Sequence, residues 1–335
     1  MVAAYKSNLV MANLISRMNH NGRKGDTVHI PAPYRGDANA KASETGVIIQ
    51  SFAETEVSIS INKHWEYSRL IEDIASVQAL GTARMFYTDD AGYSLARRTD
   101  RDIWLQTHYL NAGNTTPAAA NLFETAVIGS DGSTAFSGAA NTNTGNGAAL
   151  TDVGIRQVIA SMDDNDTPMQ DRYLVIPPIE KKSLTGIPRF TEQAFVGEAG
   201  GSNTIRNGLI GDLYGVKVYV SSNCPWVHVN DQTGTQSVTF SSAAPTGASY
   251  SDEYGITVDW NTSSPTDTPY RVCAMFHKSA LVIVEQMGVR MQTQYKQEFL
   301  ADLMTADTIY GVGRLRDGNV ANTSTAGYAI VVPSS

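Results

Sequence analysis

The sequence predicts an α+β fold, and three observations carry that expectation. Met275–Asp317 reads as successive strand-like runs with no catalytic motif among them, Met85–Asn111 carries a long amphipathic helical pattern, and short helices and strands mix between Thr151 and Pro225. A chain of 335 residues with 42% hydrophobic and 17% charged side chains buries a large core, in one elaborate domain or two or three compact ones. Disorder throughout is excluded. A formal net charge of −8 argues against a dedicated nucleic-acid binder, because duplex affinity comes mainly from Lys and Arg neutralising phosphates.

Two cysteines, Cys224 and Cys273, exclude a disulfide scaffold and fit a reducing compartment. The N-terminus lacks the basic segment and uninterrupted apolar core of a secretory signal. No apolar run approaches the roughly 20 residues of a membrane span, so no membrane association is expected and synthesis is placed in the cytosol.

In chain order, Leu9–Met18 sets apolar residues in a helical stripe and predicts a short amphipathic helix. Thr27–Pro31 and Glu56–Ile61 read as the two limbs of a long β-hairpin arm, the second alternating cleanly between Val57, Ile59, Ile61 and Glu56, Ser58, Ser60. The excursion between them, Tyr34–Ser43, holds too little apolar surface to fold on itself, so the arm is expected to project and be ordered by contact. His64–Gly81 begins as a strand and is expected to turn helical near Leu70. The long helix of Met85–Asn111 follows, with Thr88–Asp90 as a candidate cap and with Arg97, Arg98, Arg101 and Asp102 off the apolar stripe.

Between Ile128 and Leu150 the only charged residue is Asp131 amid Gly, Ala, Ser, Thr and Asn, which predicts a surface loop or linker. Thr151 caps a helix to Met162 that closes in the acidic turn Asp163–Asp166. Arg172–Pro178 is a short buried strand stopped by prolines, Val216–Val220 is another, and Ser221–Pro225 is a turn. His228–Pro269 reads as a polar insertion with strand hints at Ser237–Phe240 and Gly255–Trp260.

In the terminal third, Ala280–Val284 suits a strand buried on both faces. Val289–Tyr295 alternates Val289, Met291, Thr293, Tyr295 against Arg290, Gln292, Gln294, leaving a wholly polar face that carries a cation. A third strand, roughly Thr305–Leu315, is broken by Gly311 and Gly313, which mark a bend or a close backbone approach. Arg314 and Arg316, two apart on that strand, form the best charged constellation of the chain, suited to pairing with a neighbouring chain or to anion binding.

Catalytic signatures are absent from the sequence. There is no phosphate loop, dinucleotide fingerprint, nucleophile elbow or metalloprotease helix, and Gly311-Val312-Gly313 continues into Arg and Leu. The six histidines are scattered, with no two at a helical ligand spacing, so no metal or other cofactor is expected. Glu54 and Glu56, which share a strand face, and the acidic turn Asp163–Asp166 are the carboxylates that keep a carbohydrate-active or other hydrolase as the alternative reading. Charge on an exposed arm and in a solvated turn explains them without catalysis.

The assembled order resembles the major capsid protein of tailed bacteriophages, of short-tailed podovirus type, whose architecture is the Johnson fold. The resemblance rests on His64-Trp65-Glu66-Tyr67 through Ile71-Glu72-Asp73-Ile74, on Asn207-Gly208 through Gly211 with Tyr214-Gly215-Val216-Lys217-Val218, and on Phe276-His277-Lys278-Ser279-Ala280 through Gly313-Arg314-Leu315-Arg316. It implies an N-terminal arm over 1–25, an extended hairpin loop over 26–63, a peripheral domain from 64–145 and 270–335 with a spine helix, and an axial domain over 146–269. It further implies self-assembly into hexamers and pentamers as an icosahedral head shell around packaged double-stranded DNA. The implied location is the virion, with assembly in the host cytoplasm. Implied partners are a scaffolding protein, a portal protein at one vertex and a cement or decoration protein. Candidate inter-subunit residues are Arg35, Lys41, Glu44, Glu54 and Glu56 on the arm, with Arg69, Glu72, Arg290, Arg314 and Arg316 on the sheet.

Overall fold

The computed structural model describes residues 6, 9–20, 25–32, 38–41, 43–47, 49, 55–72, 83–107, 110, 127–134, 136, 148–187, 212–230, 237–241, 249–251, 257–259, 270–316 and 326–333. The N-terminal half begins with α1 (Met11–Leu14) and β1 (Ser16–Asn19), then the arm strands β2 (Thr27–Ala32) and β3 (Thr55–Ser60). Next come β4 (Lys63–Glu72) and the spine helix α2 (Ala83–Thr107). The middle holds β5 (Val127–Ile128), α3 (Asp152–Asp164), β6 (Arg172–Ile176), α4 (Pro178–Thr185), β7 (Asp212–Leu213) and β8 (Val216–Val220). It continues through β9 (Trp226–Asn230), β10 (Ser237–Ser241), β11 (Ser249–Ser251) and β12 (Thr257–Asp259). Closing the chain are β13 (Tyr270–His277), β14 (Leu281–Lys296), β15 (Ala301–Arg314) and β16 (Gly327–Pro333).

Two sheets organise these elements. The long antiparallel hairpin β14–β15 runs in register from Leu281↔Arg314 to Lys296↔Ala301, with shifts between Glu285 and Arg290. β4 pairs antiparallel with the far side of β15, and β1 pairs parallel with β14 at Val282–Glu285 only, giving the order β1-β14-β15-β4. The second sheet has eight strands centred on β13, which is flanked by β16 on one side and by β6 and β9 on the other, while β8 pairs parallel with β6. β6 is buried along its whole length, as its unbroken apolar run requires.

This pairing redraws one expected boundary. The expected division puts Tyr270–His277 and Gly327–Pro333 with the peripheral strands, yet they hydrogen-bond into the central sheet beside β6. The main core then spans both sheets through α2, joining Ile103 and Trp104 to Phe276, Leu281, Tyr310 and Val331. α3 forms as expected: Thr151 Oγ1 accepts from Gly154 N at 3.2 Å, and Ile155, Val158 and Met162 turn inward at helical spacing.

Several expectations fail for nonlocal reasons. The Leu9–Met18 helix is reduced to Met11–Leu14, because Ser16–Asn19 gains a parallel ladder on β14 that no local pattern announces. Leu70–Glu72 stays strand, held by pairing to Leu303, Asp302 and Ala301; 73–80 lies outside the described residues. The spine helix begins by Ala83, so Thr88–Asp90 is interior to it and not a cap. Arg101 and Asp102 are buried within the subunit. Val127 and Ile128 form a buried strand and Phe136 is buried, so part of the expected surface loop is core. Pro178 starts α4 directly after β6 instead of merely ending the strand, since proline suits a first helical turn.

The arm strands pair as expected, from Thr27↔Ser60 to Ala32↔Thr55. Of the excursion, 34–37 and 42 lie outside the described residues. The arm's foot sits on the β14–β15 hairpin by close backbone approach: a Cβ at Gly311 would meet Ser60 O at 2.5 Å, and one at Gly313 would meet Ile59 Cγ1 at 2.9 Å. Among the described residues no helix is long and apolar enough to cross a membrane.

Candidate inter-subunit surfaces

The spine helix holds the subunit together through two carboxylates that face different partners. Asp102 Oδ2 accepts from Trp65 Nε1 of β4 at 3.0 Å and from the Tyr310 hydroxyl of β15 at 2.7 Å. Asp100 Oδ1 accepts from Met11 N at 2.9 Å, and its Oδ2 accepts from Asn223 Nδ2 at 2.7 Å. One helical turn therefore ties α1, the peripheral sheet and the turn after β8 together. Burial raises the Asp100 carboxyl above its ordinary value, against the lowering pull of Asn223 and Met11 N–H. Burial also pushes the Tyr310 hydroxyl far up, with the Asp102 charge acting in the same direction. Arg98 stacks on the Trp65 ring 3.8 Å from its centroid, closing the cluster.

The expected inter-subunit residues fall into three groups. Arg35 and Glu54 lie outside the described residues. Lys41, Glu44, Glu72 and Arg316 are exposed, and Glu44 occupies a turn at φ 62, the left-handed region. The remainder have partners in their own chain. Glu56 Oε1 meets His29 Nδ1 at 2.9 Å across the arm. Arg69 stacks 4.0 Å over the Tyr87 ring, bridging β4 to α2.

Arg290 has a partner inside its own subunit. It makes a bidentate pair with Asp307, Nε to Oδ1 at 2.7 Å and Nη2 to Oδ2 at 2.9 Å, and His64 Nε2 lies 3.3 Å from the same carboxylate. Arg290 holds the Asp307 carboxyl below its ordinary range, with His64 contributing. Arg314 and Arg316 do not share a strand, because β15 ends at Arg314 and Arg316 N turns to Ala280 O. Arg314 instead joins Glu56, Lys63 and Gln106 around an open cleft of about 400 Å³ at the arm's foot.

The second strand also departs from its expected pattern. Alternation makes Val289, Met291 and Tyr295 its covered face, yet they are 60%, 41% and 45% exposed. α2 packs Ala91 and Leu95 over Met304 and Ala306 and leaves the outer stretch of β14 uncovered. Phe299 and Leu300 at the hairpin turn are exposed as well. Sequence reasoning missed the roles of Asp100, Asp102, Asn223 and Asp307. Nothing local in the sequence marks Asp100 and Asp102 as buried, because their partners lie far along the chain. Among the described residues no group of three or more His, Cys, Asp or Glu is placed to hold a metal ion.

A two-stranded arm hairpin, a spine helix across a four-stranded sheet and a mixed central sheet make up the tailed-phage capsid fold, a class of shell-forming structural proteins. The family model described as "Phage capsid protein" matches residues 77–265, more than half of the chain. The chain belongs to that family; it is a structural protein of the phage capsid and not an enzyme. A search of curated proteins returns no match.

Among solved structures, the capsid of cyanophage P-SCSP1u superposes with a TM-score of 0.67 at 18% identity, covering 100% of this chain and 91% of that one. The mature capsid of bacteriophage PhiM1 gives 0.65 at 14% identity, covering 100% and 90%. A Mycobacterium phage Che8 chain gives 0.61 at 18% identity, covering 98% and 93%. At such identities the likeness shows the fold, and the fold is that of capsid subunits.

Proposed function

We propose that this chain assembles into hexamers and pentamers that close as an icosahedral head shell around packaged double-stranded DNA. The observation that carries the reading is the arm: β2 and β3 pair with each other, and among the described residues between them Lys41, Glu44, Val47 and Ile49 are exposed. An element built this way gains its burial from a neighbour. Many weak, symmetry-repeated contacts then stabilise a closed shell although a single pair is weak.

The working division is the N-terminal arm over 1–25, the hairpin loop over 26–63, a peripheral unit and an axial unit, with β13 and β16 reassigned to the central sheet. Charged residues at the arm and at the sheet's rim, among them Lys41, Glu44, Glu72 and Arg316, set register between subunits, with Arg35 and Glu54 on the same arm as further candidates. Arg290 acts through its pair with Asp307. A scaffolding protein directs assembly in the host cytoplasm, a portal protein occupies one vertex, and a decoration protein binds outside where one exists. The net charge of −8 lines the cavity without gripping DNA that must leave.

Negative-stain microscopy after co-expression with a scaffolding protein tests this reading. Rings, sheets or shells support it, and monomers alone overturn it.

A further inference from the structure

The crossing from β13 to β14, residues 277–280, gathers four other segments of the chain. His277 N donates to Ala326 O just ahead of β16, and Lys278 N donates to Asp171 O just ahead of β6. Lys278 O accepts from Ser16 N at 3.2 Å and from Ser16 Oγ at 3.1 Å, where β1 begins. Ala280 O accepts from Leu315 N just past β15, and Ala280 N closes the turn on His277 O. These bonds make the crossing a seam between the central and the peripheral sheet.

One imidazole braces that seam. His277 Nδ1 accepts from the Ser279 hydroxyl at 2.7 Å and from Ser279 N at 3.2 Å. An amide N–H only donates, so Nδ1 carries the lone pair and the proton sits on Nε2, which is left to donate to the main chain at Gln170. The charged groups facing the ring are Asp171 ahead of β6, Arg172 on β6 and Arg316 past β15, with Lys278 next to it in the turn. Arg172 is buried and pairs with Asp163 Oδ1 at 2.6 Å. Burial holds the imidazole below its ordinary value, and Arg172 and Arg316 act in the same direction, against Asp171 and Gln170.

We infer that His277 is an acid-sensitive brace: neutral, it holds the Ser279 amide, and protonated at Nδ1 it releases that amide and loosens the seam between the two sheets. The Ser279 hydroxyl adapts, because it can turn from donor to acceptor. The amide cannot, and it is left facing an N–H across a 3.2 Å contact. Charging has the opposite effect on His29 beside Glu56 and on His64 beside Asp307, where it strengthens the pair. The inference concerns the single subunit and is independent of the shell reading.

Hydrogen exchange of the Ser279 amide in the purified chain tests it, followed from about pH 7.5 to about pH 5 and expressed as protection so that the intrinsic pH dependence cancels. Protection is expected to fall about tenfold as pH drops below the ordinary histidine value of about 6.5. Leu174, in the core of the central sheet, should keep its protection throughout. His277→Asn supplies Oδ1 as an acceptor that never charges, and should hold Ser279 protection level over the same range. His64→Asn should leave the fall as it is in the parent. Arg316→Glu, at an exposed position, replaces a repelling cation with an anion and should move the fall to higher pH. Level protection of Ser279 in the parent, an equal loss at Leu174, a fall that survives in His277→Asn, or one that disappears in His64→Asn overturns the inference. So does an Arg316→Glu fall that stays in place or moves to lower pH, and this variant decides alone if His277→Asn does not fold.

Discussion

Tyr310 donates to Asp102 across 2.7 Å, joining the third strand of the peripheral sheet to the spine helix at a point where both side chains are buried. The bond explains how a helix about 37 Å long stays fixed on a sheet whose tip is bare, since 25 residues rise about 1.5 Å each. Trp65 shares the same acceptor, so two strands and one helix meet on one carboxylate.

Tyr310→Phe is expected to lower unfolding stability by about 1–2 kcal/mol, leaving Asp102 with Trp65 and Arg98. Asp102→Ala should cost more, because it orphans the buried Tyr310 hydroxyl and the partly buried Trp65 N–H together, at about 1–3 kcal/mol for a buried donor. Denaturant melts of both variants check the order, and a Phe variant worse than the Ala variant would remove Asp102 as the hub.

Glu180 is buried, accepts from Leu150 N at 2.9 Å, and has its carboxyl raised by that burial. A folded carboxyl raised above its unfolded value holds a proton longer than the unfolded chain does, so stability falls as pH rises through the window between the two values. Glu180→Gln keeps an acceptor for Leu150 and removes the titration. The variant should match the parent below the ordinary carboxyl range and exceed it at neutral pH, in melts run from about pH 3 to about pH 7.

Asp307 gives the opposite sign. Arg290 and His64 lower its carboxyl, so its contribution is present above the ordinary carboxyl value and is lost as pH falls through the lowered one. Asp307→Asn should therefore flatten the acid limb of the stability profile, and an unchanged limb would show that the pair contributes nothing in solution.

Gly311→Ala should loosen the arm's foot, because the new methyl carbon meets Ser60 O at 2.5 Å and backbone must move. The cost is about 1–3 kcal/mol. Gly288→Ala, with nothing within 4 Å, is the control and should be near neutral. Proteolysis of the arm and thermal melts report both.

Local periodicity reaches the elements whose partners lie close in sequence or whose burial is continuous: the arm strands, α3, β6, β8 and the buried start of β14. It fails where a distant segment decides the outcome. Ser16–Asn19 becomes strand because Val282–Glu285 lies beside it, and Leu70–Glu72 stays strand because β15 does. Asp102 lies off the apolar stripe and reads as an outward charge, and nothing local marks Asp100 as buried. Their partners Met11, Asn223, Trp65 and Tyr310 all lie far along the chain. Arg290 is legible as a cation on a polar face, and Asp307 opposite it is not, because two register shifts intervene between Glu285 and Arg290. The exposure of Val289, Met291 and Tyr295 is not legible in the sequence, because alternation shows which side chains share a face and not what lies on it.

Removal of 34–43 should leave a folded subunit with an unchanged unfolding midpoint but block closed shells. Normal shells from that variant would take the arm out of assembly.

A single-particle electron cryomicroscopy reconstruction of the assembled product tests the central claim most directly. The account predicts an icosahedral shell with five copies about each vertex and six elsewhere, each arm lying on a neighbouring subunit. A reconstruction with every arm folded on its own subunit, or preparations holding only monomers, would contradict it.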